Sequence, residues 1–350
     1  MKLKKKISLP LDKFIDFYLY DKKFGYYMKK NPFGKKGDFV TAPNISRLFS
    51  EMIAIWVVSF WQSLGSPKKF NLIELGAGNG EMMKDLLESF KNFSLFFNSC
   101  NFIIHEKSPT LKKIQKKKLI KSKIKWIRRI NEISKIPSIF IANEFFDSLS
   151  IKQFKKIGNL WFENFVICNN HKKIFSYKEK IDIRKIEKKI GYKISYKQNF
   201  IEYSKHGFDY LKKISKIIEK NTGGLLLIDY GNAEKKMKNT LQAVSNHKFA
   251  NILENTGNID ITHNINFYFF KKFIKKFKDL EVYLTTQEQF LLKMGIKQRA
   301  EIISKNKNFL EKADIFYRLN RLINKKHMGN LFKVMVIKNK KNKFKLGFEN

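Results

Sequence analysis

Apolar residues recur along this chain in two rhythms. At spacings of three and four they mark helices. Leu11, Phe14, Ile15, Tyr18 and Leu19 share one face of a stretch opened by Ser8 and Pro10, so a helix is expected over residues 8 to 20. Leu48, Phe49, Met52, Ile53, Trp56 and Phe60 predict a strongly apolar helix from about Ser46 to Leu64, closed by Gly65, that must lie against a core. As short continuous runs they mark buried strands over 70–75, 101–106, 124–127, 138–142 and 225–229. Their spacing is that of βαβ units, which gives a parallel sheet. Residues 151–156 and 160–167 read as a hairpin about Gly158-Asn159. Residues 170–200 are Lys-rich and weakly patterned, and are expected as a solvated excursion. Helices fill 287–325 and a last strand covers 331–337.

The expected fold is therefore α/β, with a mostly parallel, Rossmann-like sheet. It divides into an N-terminal helical lid segment (1–66), one half of the sheet (67–150), a hairpin with a basic excursion on the substrate side (151–222), and the second half (223–350) with an insertion at 232–279.

The stretch around which these elements are organised is Glu74-Leu75-Gly76-Ala77-Gly78-Asn79-Gly80, a strand ending in an acid and then alternating glycines before a helix. Glycines let the backbone turn sharply and leave no Cβ between chain and ligand. A dinucleotide site wants G-x-G-x-x-G, so that a helix N-terminus meets a pyrophosphate. Here the spacing is G-x-G-x-G, with an acid two residues before the first glycine. S-adenosylmethionine carries an ammonium and a sulfonium but no phosphate, and a carboxylate suits it better. The cofactor expected from this turn is therefore S-adenosylmethionine, with Glu74, Gly76, Gly78 and Gly80 as its binding residues. The alternatives are NAD, or a turn that is only structural.

Two further strand ends add candidates. Glu106 lies 32 positions after Glu74 at the end of the next strand, placed to accept the ribose hydroxyls. After the strand over 138–142 come Asn143-Glu144-Phe145-Phe146-Asp147, polar groups that are costly beside a core without work to do. A capping role is the plainer alternative. The loop 33–43 mixes Gly, Pro and Phe and reads as a shaped lid, bringing in Gly37, Asp38 and Thr41. His247 and His263 are read as buried polar residues.

Composition narrows the partners. The 350 residues include 43% hydrophobic and 15% aromatic, enough for a sizeable core. The net charge is +40, yet only seven of the 71 basic residues are Arg, the residue that phosphate-gripping surfaces favour. Lysine spread over every solvated face explains this better than specific nucleic-acid binding. Two cysteines give no disulfide framework, the six histidines lack metal spacing, and no metal is expected. No run approaches a membrane span. A bacterial cytoplasmic location is expected, and a homodimer is left open.

Taken together, several motifs resemble one family, the MidA-type S-adenosylmethionine-dependent methyltransferases, which include the mitochondrial complex I assembly methyltransferase and bacterial relatives. They are G-Y-Y at 25–27, F-G-x-x-G-D-F-x-T-A-P at 33–43, E-L-G-x-G-x-G at 74–80, H-E-x-S-P at 105–109 and A-N-E-F-F-D at 142–147. I-D-Y-G at 228–231, T-L-x-A at 240–243, D-I-T-H at 260–263, T-Q-x-x-F-L at 286–291 and M-G-x-L-F-K-V at 328–334 continue the series. Ala77 and Asn79 replace the family's usual Pro and Arg but preserve the turn. The resemblance implies a class I methyltransferase fold and methylation of a protein arginine, with a respiratory complex I subunit as a candidate substrate. Asn143, Glu144 and Asp147 are the catalytic candidates, since a carboxylate paired to a guanidinium localises its charge away from the reacting nitrogen. The competing readings are a nucleic-acid or small-molecule methyltransferase and a non-catalytic assembly chaperone of the same fold.

Overall fold

The computed structural model describes residues 7–29, 31–34, 37, 40–169, 172–245, 248–254 and 257–349. Among the described residues eight strands form the central sheet, Ile265–Asn266 beside the end of Gly223–Asn232 and seven along its main path: β1 (Phe70–Leu75), β2 (Cys100–His105), β3 (Ile124–Ile127), β4 (Ser138–Asn143), β5 (Gly223–Asn232), β6 (Leu280–Thr286) and β7 (Phe332–Asn339). Their spatial order is β6-β7-β5-β4-β1-β2-β3. Strands β1 to β5 pair in parallel, whereas β7 runs antiparallel to both β5 and β6. Strand order reverses between β1 and β4, which opens a crevice at their carboxyl ends.

The continuous apolar runs of these strands follow from burial on both faces. In β1, Phe70 and Leu72 join one core with the helix Arg47–Ser63, while Ile73 and Leu75 join the other with the helix Lys205–Asn221. Strand β4 alternates likewise, Ile139 and Ile141 against Phe140 and Ala142. Each such side chain contributes about 1.5–3 kcal/mol by leaving water. The helix Arg47–Ser63 begins where Ser46 Oγ accepts the Leu48 N–H at 3.3 Å, and it buries Trp56 stacked on Phe60.

Two stretches differ from the sequence expectation. Residues Ile7–Pro10 are a strand, antiparallel to Phe165–Cys168, and the first helix begins only at Leu11. Residues 170–200 are not an unpatterned excursion. Lys172–Ile181 is a strand paired along Leu160–Asn169, followed by the helix Ile183–Ile190, and Phe200–Tyr203 pairs with Lys152–Ile157. The Lys172–Ile181 strand is secured mainly by backbone bonds to one neighbour, and most of its side chains meet solvent. Its lysines therefore hide the period-two signal. These strands and Ile7–Pro10 make a second, antiparallel sheet. The insertion holds a small three-stranded sheet that includes Asp260–Thr262. No described helix is long and apolar enough to cross a membrane.

Candidate active site

The turn after β1 has the backbone its glycines permit. Gly76, Gly78 and Gly80 have φ of +67°, +52° and +79°, in the left-handed region that disfavours a Cβ. A Cβ on Gly76 would lie 2.8 Å from the Phe145 ring, and one on Gly78 would lie 3.3 Å from the Phe33 ring. Gly80 begins the helix Glu81–Phe90 and packs on Gln115.

Beyond this turn lies a cavity of about 450 Å³. Its lining includes Gly76, Gly78, Thr41, Glu106, Glu144 and Asp147, so most of the residues singled out from sequence converge on one space. Glu74 is buried at the end of β1, and its Oε2 has no hydrogen-bond partner. Burial, and then nearby Glu106, push Glu74 up to about 8. Glu106 takes the Ser108 N–H on Oε1 at 2.8 Å and the Gln115 amide on Oε2 at 2.9 Å. Each oxygen keeps a second lone-pair direction for a ligand hydroxyl. The same Gln115 amide nitrogen donates to Gly78 O at 2.9 Å, tying the glycine turn to the acid of β2.

Other predicted residues fall elsewhere. Gly37 does not line the cavity; its N–H closes a turn onto Gly34 O at 2.9 Å. Asp38 and His247 lie outside the described residues. Asn143, the last residue of β4, donates its amide to Glu144 Oε1 at 3.2 Å. His263 is buried, its Nε2 has no hydrogen-bond partner, and burial pulls its pKa down to about 4. Its backbone N–H donates to Asp147 O at 3.1 Å.

Three carboxylates, Glu144, Asp147 and Asp260, line the far wall, and a fourth, Asp229, is buried behind it. Glu144 has φ of +50°, a conformation a non-glycine residue holds only when its surroundings impose it. Its Oε1 accepts the Ala42 N–H at 3.3 Å, and burial raises its pKa to about 7. Asp147 is buried with Oδ1 unpartnered, and burial reinforced by Asp229 and Glu144 holds its carboxyl far above the ordinary range. Asp229, in β5 one residue past its last pairing with β4, is fully buried and also shifted upward, but it accepts three backbone N–H groups. Those bonds favour the ionised form of Asp229 more than that of Asp147, whose Oδ1 has no partner. Asp260 accepts the Tyr27 hydroxyl at 2.8 Å. Tyr20, Tyr27 and Tyr230 line the same cavity, and Tyr27 stacks on Tyr20 and on Phe33.

Comparison with known proteins decides what this crevice serves. Residues 52–286 match the family described as "Putative S-adenosyl-L-methionine-dependent methyltransferase". The chain belongs to that family. It is also 29% identical to the Xenopus tropicalis protein arginine methyltransferase NDUFAF7, mitochondrial, over 88% of this chain and 77% of that one. The human protein of the same name is 27% identical, over 88% and 75%. Among solved structures, a COG1565 superfamily member from Burkholderia thailandensis bound to S-adenosyl-homocysteine superposes with a TM-score of 0.79. It is 20% identical, and the match covers 98% of this chain and 89% of that one. The protein is thus an S-adenosylmethionine-dependent methyltransferase with that fold. Its own residues fit the cofactor: an orphaned buried carboxylate oxygen on Glu74, glycines that keep the turn open, and Glu106 with spare acceptor capacity.

Sequence reasoning did not select Asp229, Asp260, Tyr20, Tyr27 or Gln115 as site residues. For Asp229 the signal was present, an acid ending a buried strand as Glu74 does. Tyr20 carries no such mark and Tyr27 stands out only within the G-Y-Y motif; docking of the helices Leu11–Tyr20 and Tyr26–Lys29 brings both to the cavity.

Proposed function

We propose that this methyltransferase acts on arginine side chains of a protein substrate. The observation that carries the reading is the wall of Glu144, Asp147 and Asp260 with Tyr27 and Tyr230, lining one cavity with the glycine turn. Relatives named protein arginine methyltransferases support it.

S-adenosylmethionine, when bound, supplies a methyl group activated on a sulfonium. The protein's task is then positioning, with a nitrogen lone pair held roughly 3–3.5 Å from the methyl carbon. Glu106, on the cavity lining, would hold the cofactor's ribose, and Glu74, buried behind the glycine turn, would favour its ammonium through its charge. Guanidinium is a poor nucleophile, with a pKa of roughly 12.5–13.8 and its charge delocalised. Glu144 pairs with two of its nitrogens and draws positive charge away from the third, while Asn143 fixes the Glu144 carboxylate through its amide. As the new N–C bond forms and the C–S bond breaks, the nitrogen must lose a proton. Glu144, with a pKa near neutrality, is suited to receive it, and Asp147 to relay it. The tyrosine faces add attraction for a flat cation. The segment around Thr41 and Ala42, tied to Glu144 through the Ala42 N–H, serves as the lid, and the sheet inserted over 151–203 lies on the substrate side.

A respiratory complex I subunit is the first candidate acceptor, from the family resemblance. Incubating the protein with methyl-labelled S-adenosylmethionine and an extract of its own cells tests the proposal. Label recovered as methylarginine in protein is the expected result. Label in nucleic acid or small molecules only, or no transfer at all, would overturn it.

A further inference from the structure

We propose that Asp229 is a positioning residue for methyl transfer: its carboxylate clamps the turn at residues 144–147 and so sets the aim of Glu144 and Asp147. The inference rests on reading those two carboxylates as the groups that meet the acceptor.

The turn is conformationally costly. Glu144 holds φ of +50° without being glycine, a strained conformation that relaxes unless something holds it. Strand β5 supplies the restraint. The Ile228 carbonyl accepts the Glu144 N–H at 3.0 Å, continuing the sheet by one bond past the end of β4. Asp229 Oδ2 then accepts two N–H groups from the turn itself, Phe146 at 2.9 Å and Asp147 at 3.3 Å. Its Oδ1 accepts the Tyr230 N–H at 2.9 Å, which fixes the carboxylate's own orientation. From the other side the His263 N–H donates to Asp147 O at 3.1 Å. Asp147 is thus held at both its amide and its carbonyl.

Only a carboxylate suits this position. With three N–H donors shared between two oxygens, an asparagine must turn its NH₂ toward at least one of them. Asp229 itself is fully buried, and it does not line the cavity. It acts through the turn rather than on the substrate. Its charge has a second consequence, because Asp229 is among the anions that hold the Asp147 carboxyl up.

The test uses Asp229→Asn in the full chain, with Glu144→Gln as its companion. Amide hydrogen exchange needs no knowledge of the acceptor. In Asp229→Asn, exchange should speed up at Phe146, Asp147 and Tyr230, while the glycine turn at 76–80 and calorimetric affinity for S-adenosylhomocysteine stay within about twofold of wild type. Methyl transfer to protein in cell extract should fall about 100-fold, as expected for displaced groups. The acid limb of the residual activity should move to lower pH, since losing the Asp229 charge eases ionisation of both Glu144 and Asp147. A merely structural role would instead lower cofactor affinity together with activity and leave the limb in place. That result, or unchanged exchange at 146–147, overturns the proposal. Full activity in Glu144→Gln alongside loosened exchange in Asp229→Asn would remove the assigned role of Glu144 while leaving the clamp standing.

Discussion

The backbone N–H of Ala42 donates to Glu144 Oε1 at 3.3 Å, joining a loop ahead of the first long helix to the end of β4 across 102 positions of sequence. The bond, with the Asn143 amide on the same oxygen and a Tyr230 side-chain hydrogen bond to the carboxylate, fixes Glu144 against the cavity. Replacing Glu144 with Gln keeps the shape and removes the charge. Turnover should fall about 100-fold, the usual scale for losing a positioned acid or base. Cofactor affinity should change little, because Glu144 does not belong to the glycine turn. Steady-state kinetics combined with calorimetry checks both; wild-type turnover would refute the assignment.

Gly78→Val tests the crevice. The backbone at +52° resists a β-branched side chain by about 1–3 kcal/mol, and the added atoms point at the Phe33 ring. Binding of S-adenosylhomocysteine should vanish in a protein that still folds by circular dichroism. Unaltered affinity would mean that the ligand lies elsewhere.

Glu106→Gln addresses the ribose. The amide must turn its NH₂ toward either the Ser108 N–H or the Gln115 amide, so one bond in the present pair is lost. A charge-assisted hydrogen bond contributes about 1.5–3 kcal/mol, so affinity should drop roughly tenfold to a hundredfold. Equal dissociation constants for variant and wild type would exclude Glu106 as a ligand.

How readily these positions are read from sequence differs from residue to residue. Glu74, Glu106 and Glu144 each follow an apolar run that ends abruptly in an acid, and a strand buried on both faces leaves such a run unbroken. The parallel half of the sheet was legible for the same reason. Lys172–Ile181 was not, because an edge strand needs only backbone partners and here carries lysine at four of its ten positions. The start of the first helix was placed too early because Ser8 and Pro10 resemble an opening, whereas residues 7–10 pair with 165–168, partners that no local pattern could name. Tyr27 reached the site by the same kind of long-range docking.

Acidity should weaken in one direction and strengthen in the other. Glu74 and Glu144 stand at about 8 and about 7 in the folded protein, above the 4.5 expected of an exposed glutamate. The folded state therefore holds protons that the unfolded chain has already released, and the stability this provides is complete below about 4.5 and lost as pH rises through 7 and 8. The ligand-free thermal midpoint should descend over that window, and less steeply in Glu74→Gln. A midpoint that climbs from pH 5 to 8 would contradict the assignment.

Tyr27→Phe removes the hydroxyl that donates to Asp260 at 2.8 Å. Losing a donor to a buried carboxylate costs about 1–3 kcal/mol, visible as a lower denaturant midpoint. KM for the protein acceptor should rise more than KM for the cofactor. Equal KM values in mutant and wild type would take Tyr27 out of the acceptor wall.

Strand β7 comes last of the seven in the chain and is bonded on both sides, to β5 and to β6. While the ribosome is still at work, residues 280–286 have no neighbour to join, and β5 shows a raw apolar edge. Until residues 332–339 have been made and docked between them, neither strand can complete the sheet.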